Sequence, residues 1–293
     1  RETGRIPGGS SSGAGVSVAD GMCAVAIGTD TGGSVRIPSA LNGVTGFKTS
    51  TGRIPLDGVY PLSSTLDSVG PLAPTVTCCI VTDAILDDRA PIVPRALPIE
   101  NLRFGIPQNY VLNDLDHHVA STFEGTLEAL SRAGATITEV NSSMYEEIPA
   151  AMPNGGILGA EAFAHHRPRM DEFKDSYDPR VWIRIRRGEN LSAADLIDCH
   201  RIRADIQARA ADMAMPFDAL LMPTCATVAP AIGPLDADED AYGAANILML
   251  RNTTVGNFLD TCAMSIPCHP PGTGPVGLMV MTANGHDEWL ARI

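Results

Sequence analysis

Lysine is almost missing from this sequence: Lys48 and Lys174 are the only two in 293 residues. The 21 Lys and Arg residues face 34 Asp and Glu, for a formal net charge of -13. No stretch gathers enough positive charge to neutralise a phosphate backbone, which argues against direct nucleic-acid binding. Long apolar runs are missing too. None approaches the roughly 20 residues that a helix needs to cross a bilayer, and no secretion leader opens the chain, so a soluble, cytoplasmic protein with no membrane partner is expected. Seven cysteines are present (Cys23, Cys78, Cys79, Cys199, Cys225, Cys262, Cys268), but they lack CxxC spacing and nearby histidine partners. That pattern offers no zinc site, and buried free thiols in a reducing compartment are the expectation, with no metal and no cofactor. An initial methionine is lacking as well. The chain begins at Arg1 and enters a Gly/Ser motif almost at once, so an upstream segment is expected before it.

What is present points to a sizeable core. With 44% hydrophobic and 19% charged residues, the chain suits one globular α/β unit over residues 1–293. A short helix is expected over Ser11 to Gly21, then a strand through Val25 and Ile27 and another at Val44 to Phe47. Farther on, helices are expected at Val76 to Leu86, His117 to Ala133, Gly156 to Phe173 and Ala193 to Met213. Strands are expected at Phe104 to Ile106, Thr136 to Val140, Ala219 to Met222, Ala263 to Ile266 and Val276 to Met281. This mixed order predicts a central mixed β-sheet covered by helices on both faces. The acidic stretch at residues 234–240 (PLDADED) reads as a solvated surface loop.

Two Gly/Ser clusters carry the candidate chemistry: GGSSSG at residues 8–13 and GTDTGGS at residues 28–34, with Ser10 lying 24 positions before Ser34. A phosphate-binding P-loop does not fit, because Gly13 is followed by Ala14 and Gly15 where Lys and Ser or Thr are needed. The dinucleotide fingerprint fails at Val18, where it requires glycine. An oxyanion hole beside a nucleophile remains. Glycines in TGGS let backbone N–H groups converge on one point, and Ser34 places a hydroxyl beside it; each such donor is worth about 2.7 to 4 kcal/mol of barrier. A serine needs a base to take its proton. None of the seven histidines (His117, His118, His165, His166, His200, His269, His286) stands in a recognisable triad context, and neither Lys48 nor Lys174 reads as a buried, desolvated base.

The stretch from Arg5 to Pro55 closely resembles the amidase signature family, with both clusters in register. Weaker similarity continues through LDSVGPLAPTV (66–76), YDPRVWIRI (177–185), ALLMPTCATVAPAIG (219–233) and PVGLMVM (275–281). The resemblance implies the amidase-signature fold and an amidase that cleaves a carboxamide C–N bond by a Ser-Ser-Lys triad. It makes Ser34 the nucleophile and Ser10 the bridging serine, after a cis Gly9–Ser10 bond. The N–H groups of Thr31, Gly32, Gly33 and Ser34 become the oxyanion hole, with Asp30, Arg36 and Ser11 in support. The family's lysine lies upstream of GGSSSG, so the chain is expected to be incomplete at its N-terminus, slightly short at its C-terminus, and inactive as it stands. A small-molecule amide is the expected partner and a homodimer is left open; a glutamine-hydrolysing component of an amidotransferase complex and a non-catalytic relative lacking the lysine are the alternatives. Tyr60, Met152, Trp182, Cys225 and Cys262 are candidates for a pocket wall, with core packing at least as good an account of each.

Overall fold

The computed structural model describes residues 4–293. Its N-terminal part interleaves helix and strand: α1 (Ser12–Ala19), β1 (Ala26–Thr29), α2 (Arg36–Asn42), β2 (Thr45–Lys48), β3 (Val69–Ala73) and α3 (Val76–Leu86). There follow β4 (Arg103–Pro107), α4 (His117–Arg132), β5 (Thr136–Val140), α5 (Gly156–His166), α6 (Pro179–Arg186) and α7 (Ala193–Ala214). The chain closes with β6 (Ala219–Pro223), α8 (Ile232–Ala237), α9 (Glu239–Phe258), β7 (Thr261–Pro267), β8 (Gly277–Ala283) and α10 (Asp287–Leu290).

All eight strands join one sheet in the order β1-β3-β2-β7-β8-β6-β4-β5. Pairing is antiparallel from β1 to β6 and parallel from β6 through β4 to β5. The period-2 geometry of a strand sorts its apolar residues into two cores. Cys262, Met264, Leu278, Val280 and Leu221 face one side, where Cys79 and Ile80 of α3 and Phe123 of α4 cover them. Their neighbours Ala263, Met279, Met281, Leu220 and Met222 face the other, against Ile206 and Ala210 of α7 and Val255 and Phe258 of α9. A slip of one residue in β7 or β8 would exchange these two sets, so the packing on both faces fixes the register. The mixed sheet covered on both faces is thus what the alternating pattern implied.

Local signals set the helix starts. Asp116 accepts from the N–H groups of His118 and Val119, and Asp178 from those of Arg180 and Val181, each satisfying orphan donors of a first turn. Ser192 and Asp195 form a reciprocal capping box on α7.

Several expectations need correction. The acidic stretch 234–240 is not a loop: it runs from α8 into α9, with Asp238 capping α9 through the N–H groups of Asp240 and Ala241. Glu239 and Asp240 occupy the first turn, where carboxylates complement the positive end of the helix. α5 stops at His166, short of Phe173. No helix among the described residues is long and apolar enough to cross a membrane. All seven cysteines are free, but only Cys79, Cys199, Cys225 and Cys262 are buried; Cys23, Cys78 and Cys268 are half-buried.

A candidate acyl-transfer site

The two Gly/Ser clusters meet in space. The Ser11 N–H donates to the Ser34 carbonyl at 3.2 Å. This brings the start of α1 against the turn between β1 and α2. The Gly9–Ser10 peptide is cis. Ser10 is exposed and Ser34 half-buried, and neither hydroxyl has a hydrogen-bond partner among the described residues.

The turn bearing Ser34 is built around one buried carboxylate. Asp30 is fully buried, and its Oδ1 accepts from Gly33 N at 2.9 Å, an Arg36 guanidinium nitrogen at 2.9 Å and Asn257 Nδ2 at 3.0 Å. Its Oδ2 accepts from Val35 N at 3.2 Å, Arg36 N at 3.3 Å and Arg36 Nε at 3.0 Å. Arg36 is also fully buried, forms a bidentate pair with Asp30, and reaches Asn257 Oδ1 at 2.5 Å. Burial by itself would raise the Asp30 carboxyl, but the Arg36 charge and hydrogen bond, aided by the charge of Lys48 and by Asn257, hold it well below the usual carboxylate range. The result is an ionised loop anchor with its acceptor sites filled, the arrangement in which a buried pair is held rather than left costly.

The other side of the turn is fixed as firmly. Thr31 Oγ1 donates to Asp67 at 2.5 Å, and Asp67 in turn accepts from the N–H groups of Leu62 and Ser63. Thr253 of α9 donates to the Gly32 carbonyl at 2.7 Å. Gly33 has φ +128°, and a Cβ there would lie 2.1 Å from Thr253 Oγ1, so no other residue fits. Of the four N–H groups implied as an oxyanion hole, that of Gly33 is engaged by Asp30. Those of Thr31, Gly32 and Ser34 have no partner among the described residues, so three donors are free to meet developing negative charge.

Neither lysine bonds to this turn. Contrary to the sequence expectation, Lys48 is buried, at 1% exposure, and burial depresses its ammonium, opposed by the charge of Asp30. Its Nζ donates to the carbonyls of Thr49 at 3.0 Å and Thr261 at 2.7 Å, and no bond joins it to Ser10 or Ser34. The sequence missed it because a lysine after an apolar strand normally reaches water. Lys174 stacks over Trp182, 5.3 Å from the ring centroid. Four of the histidines make hydrogen bonds away from Ser10 and Ser34: His118 with the Gly274 carbonyl at 2.9 Å, His165 with the Ser64 hydroxyl at 3.1 Å, His166 with the Tyr177 hydroxyl at 2.8 Å and His269 with the Val276 carbonyl at 3.4 Å.

The suggested pocket residues divide. Cys262, Cys225 and Met152 pack in the cores, where burial pushes both thiols up to about 12. Tyr60 is 60% exposed and lies 5.4 Å from the His166 ring. A segment with no motif of its own ties this aromatic patch to the Ser34 turn. Glu161 of α5 accepts from Ser63 Oγ, Thr65 N and Thr65 Oγ1, and Ser63 sits on Asp67, which holds Thr31.

The family model of the amidases matches residues 1–290. The chain belongs to the amidase family. Among its curated relatives, the 2-amino-5-chloromuconic acid deaminase of Comamonas testosteroni is 34% identical over 280 residues, covering 94% of this chain and 60% of the relative. A glutamyl-tRNA(Gln) amidotransferase subunit of Clostridium kluyveri is 31% identical over 326 residues, covering 99% of this chain and 65% of the relative. A crystal structure of an amidase superposes with a TM-score of 0.88 at 29% identity, covering 99% of this chain and 66% of that one. This amidase chain therefore spans about 60% of the length of its deaminase relative, with the amidase-signature fold throughout.

Proposed function

We propose that the protein hydrolyses a small carboxamide through an acyl-enzyme on Ser34. The observation that carries this reading is the contact of the two Gly/Ser clusters at Ser11 and Ser34, over a turn that Asp30 and Arg36 lock with partnerless N–H groups. Ser10 is the bridging serine, and Thr31, Gly32 and Ser34 supply the donors. The base is a lysine carried outside these 293 residues, as the resemblance implies. Neutral lysine takes a proton from Ser10, Ser10 takes one from Ser34, and Ser34 Oγ adds to the amide carbon. Collapse breaks the C–N bond as the relay returns a proton to nitrogen, and ammonia or an amine leaves. Water, deprotonated by the same relay, then adds to the ester carbon and releases the acid and Ser34.

Residues 1–293 act in this reading as one amidase domain of a cytoplasmic enzyme. A polypeptide limited to them is nearly inert, since general acid–base help is worth about a hundred- to ten-thousand-fold. The test is labelling of the full-length protein with a fluorophosphonate. One adduct at Ser34, lost in Ser34→Ala, is expected; an adduct elsewhere, or equal labelling of the variant, removes the assignment. A second reading, a glutaminase component that delivers ammonia to a partner, is favoured by the 31% identity to the amidotransferase relative. Co-purification of a partner protein that raises glutamine turnover separates the two.

A further inference from the structure

Glu161 of α5 turns both of its carboxylate oxygens toward one loop. Oε2 accepts from Ser63 Oγ and from Thr65 N at 3.0 Å, and Oε1 accepts from Thr65 Oγ1 at 2.6 Å. All three donors are neutral groups of residues 63–65. One turn farther along the helix, His165 meets the Ser64 hydroxyl at 3.1 Å and the His166 ring lies 5.4 Å from that of Tyr60. Neighbouring turns of a helix present one face, so α5 is laid along residues 60–65.

The far end of this loop reaches the peptide that carries one of the three free donors at the Ser34 turn. The Thr31 N–H and the Asp30 carbonyl belong to a single planar peptide group, so whatever fixes the carbonyl also aims the N–H. Ser68 donates to that carbonyl twice, from its N–H at 3.2 Å and its Oγ at 3.0 Å, and its own carbonyl accepts from Asp30 N at 2.8 Å. Asn257 Nδ2 donates to the same carbonyl at 3.3 Å. Asp67 accepts from the Thr31 hydroxyl at 2.5 Å with one oxygen and, with the other, from the N–H groups of Leu62 at 2.9 Å and Ser63 at 3.0 Å. Ser63 joins the two ends of the loop, its hydroxyl on Glu161 and its N–H on Asp67. Ser63, Asp67 and Ser68 are all buried, where a lost partner is not readily replaced by water.

An oxyanion hole works through donors that stand in place before charge develops. We infer, on the acyl-enzyme reading of Ser34, that Glu161 is a positioning residue: by tying residues 63–65 to α5 it keeps Asp67 and Ser68 on the peptide that aims the Thr31 N–H. Glu161 acts here as a hydrogen-bond acceptor and not as a base. Glutamine can take its place, because an amide oxygen accepts from Ser63 Oγ and Thr65 N while its NH2 donates to Thr65 Oγ1, a hydroxyl being able to do either.

The experiment follows the rate at which a fluorophosphonate labels Ser34 in the full-length protein. Ser34 Oγ adds to phosphorus, fluoride leaves, and the phosphoryl oxygen takes the place of the oxyanion. Glu161→Ala is expected to slow labelling about tenfold, within the scale on which a small misplacement acts. Glu161→Gln is expected to stay within about twofold of the wild type. Thr31→Val keeps the N–H but removes the hydroxyl from Asp67, and a similar slowing of about tenfold is expected. Added to Glu161→Ala it is expected to slow labelling no further, because both changes act along one route. Losses that multiply to about a hundredfold, the result for a Glu161 that only stabilises the fold, overturn the inference. So does Glu161→Gln protein as slow as Glu161→Ala. If circular dichroism shows Glu161→Ala unfolded, Ser63→Ala, which removes one of the same three bonds, replaces it in the cycle with about a threefold loss expected. Labelling at Ser34 that is indifferent to these changes sinks this inference alone, whereas labelling that persists in Ser34→Ala removes the proposed reaction and the inference with it.

Discussion

The Ser34 turn and the flank formed by α5 and α6 use charge in opposite ways. In the turn, Asp30 and Arg36 are fully buried, bidentate and saturated with further hydrogen bonds. On the flank, Arg180 pairs with Glu239 and Arg186 with Glu189 in the open, beside the exposed apolar Phe173, Val181 and Ile183. Solvent screens the second set and leaves its side chains free to move, while the first has a single arrangement. The difference is one of rigidity: donors held by a saturated buried pair do not reorganise, whereas exposed pairs can adjust.

Substitutions break this contrast in graded steps. Ser34→Ala in the full-length protein is expected to lower amide hydrolysis by about 10⁴-fold or more while shifting stability by less than about 0.5 kcal/mol, as measured by steady-state kinetics and urea unfolding. Arg36→Met is expected to cost about 3 to 5 kcal/mol in urea unfolding, because it strands the Asp30 charge in the interior. Retained stability there would mean that Asp30 is not held by this pair. Acid unfolding sharpens the point. The Asp30 carboxyl is depressed in the fold, so its contribution is fully present above the ordinary 3.8 and is lost as pH falls below that value toward the folded one. Asp30→Asn should therefore unfold with a flatter acid limb than the wild type. Thr253→Val, which removes one bond to the Gly32 carbonyl, is expected to cost about 1 kcal/mol. Arg180→Gln, at the exposed flank, is expected to leave the thermal midpoint unchanged, and a clear drop would show the flank to be as rigid as the turn.

The strands of alternating or apolar character were legible because their periodicity survives tertiary packing, and β5, β6, β7 and β8 lie where the pattern put them within a few residues. What was hidden has identifiable causes. β3 carries Gly70 and Pro71 in its middle and so resembles a turn, yet a Cβ at position 70 would meet the Phe47 carbonyl at 1.8 Å, so close strand packing demands that glycine. α2 holds Pro38 in its first turn, where proline is tolerated but reads as a breaker. α9 opens on acidic residues that look like solvent loop, and its later turns bury Asn252, Thr253 and Asn257, which blurs any apolar stripe. At the site, the two clusters stood out from their Gly/Ser pattern, and the supporting Asp30 and Arg36 came from motif resemblance. Asn257 and Thr253, their partners on α9, lie far along the chain at sequence separations of 227 and 221, and no local spacing announces them.

The bond from Ser11 to the Ser34 carbonyl gives the intervening segment the properties of a ruler with one soft mark. α1 is rigid at one end, and β1 is fixed against β3 residue by residue at the other, from Ala26 opposite Leu72 to Thr29 opposite Val69. Between them, Gly21 takes a left-handed conformation, and Gly21, Met22 and Ala24 are exposed. A residue gained or lost at positions 21–24 falls in this exposed bend, whereas the same change between 26 and 29 turns the following strand side chains over against β3 and shifts Ser34 relative to Ser11. Length in this stretch thus matters unequally: it is variable at the bend, and fixed from the strand onward.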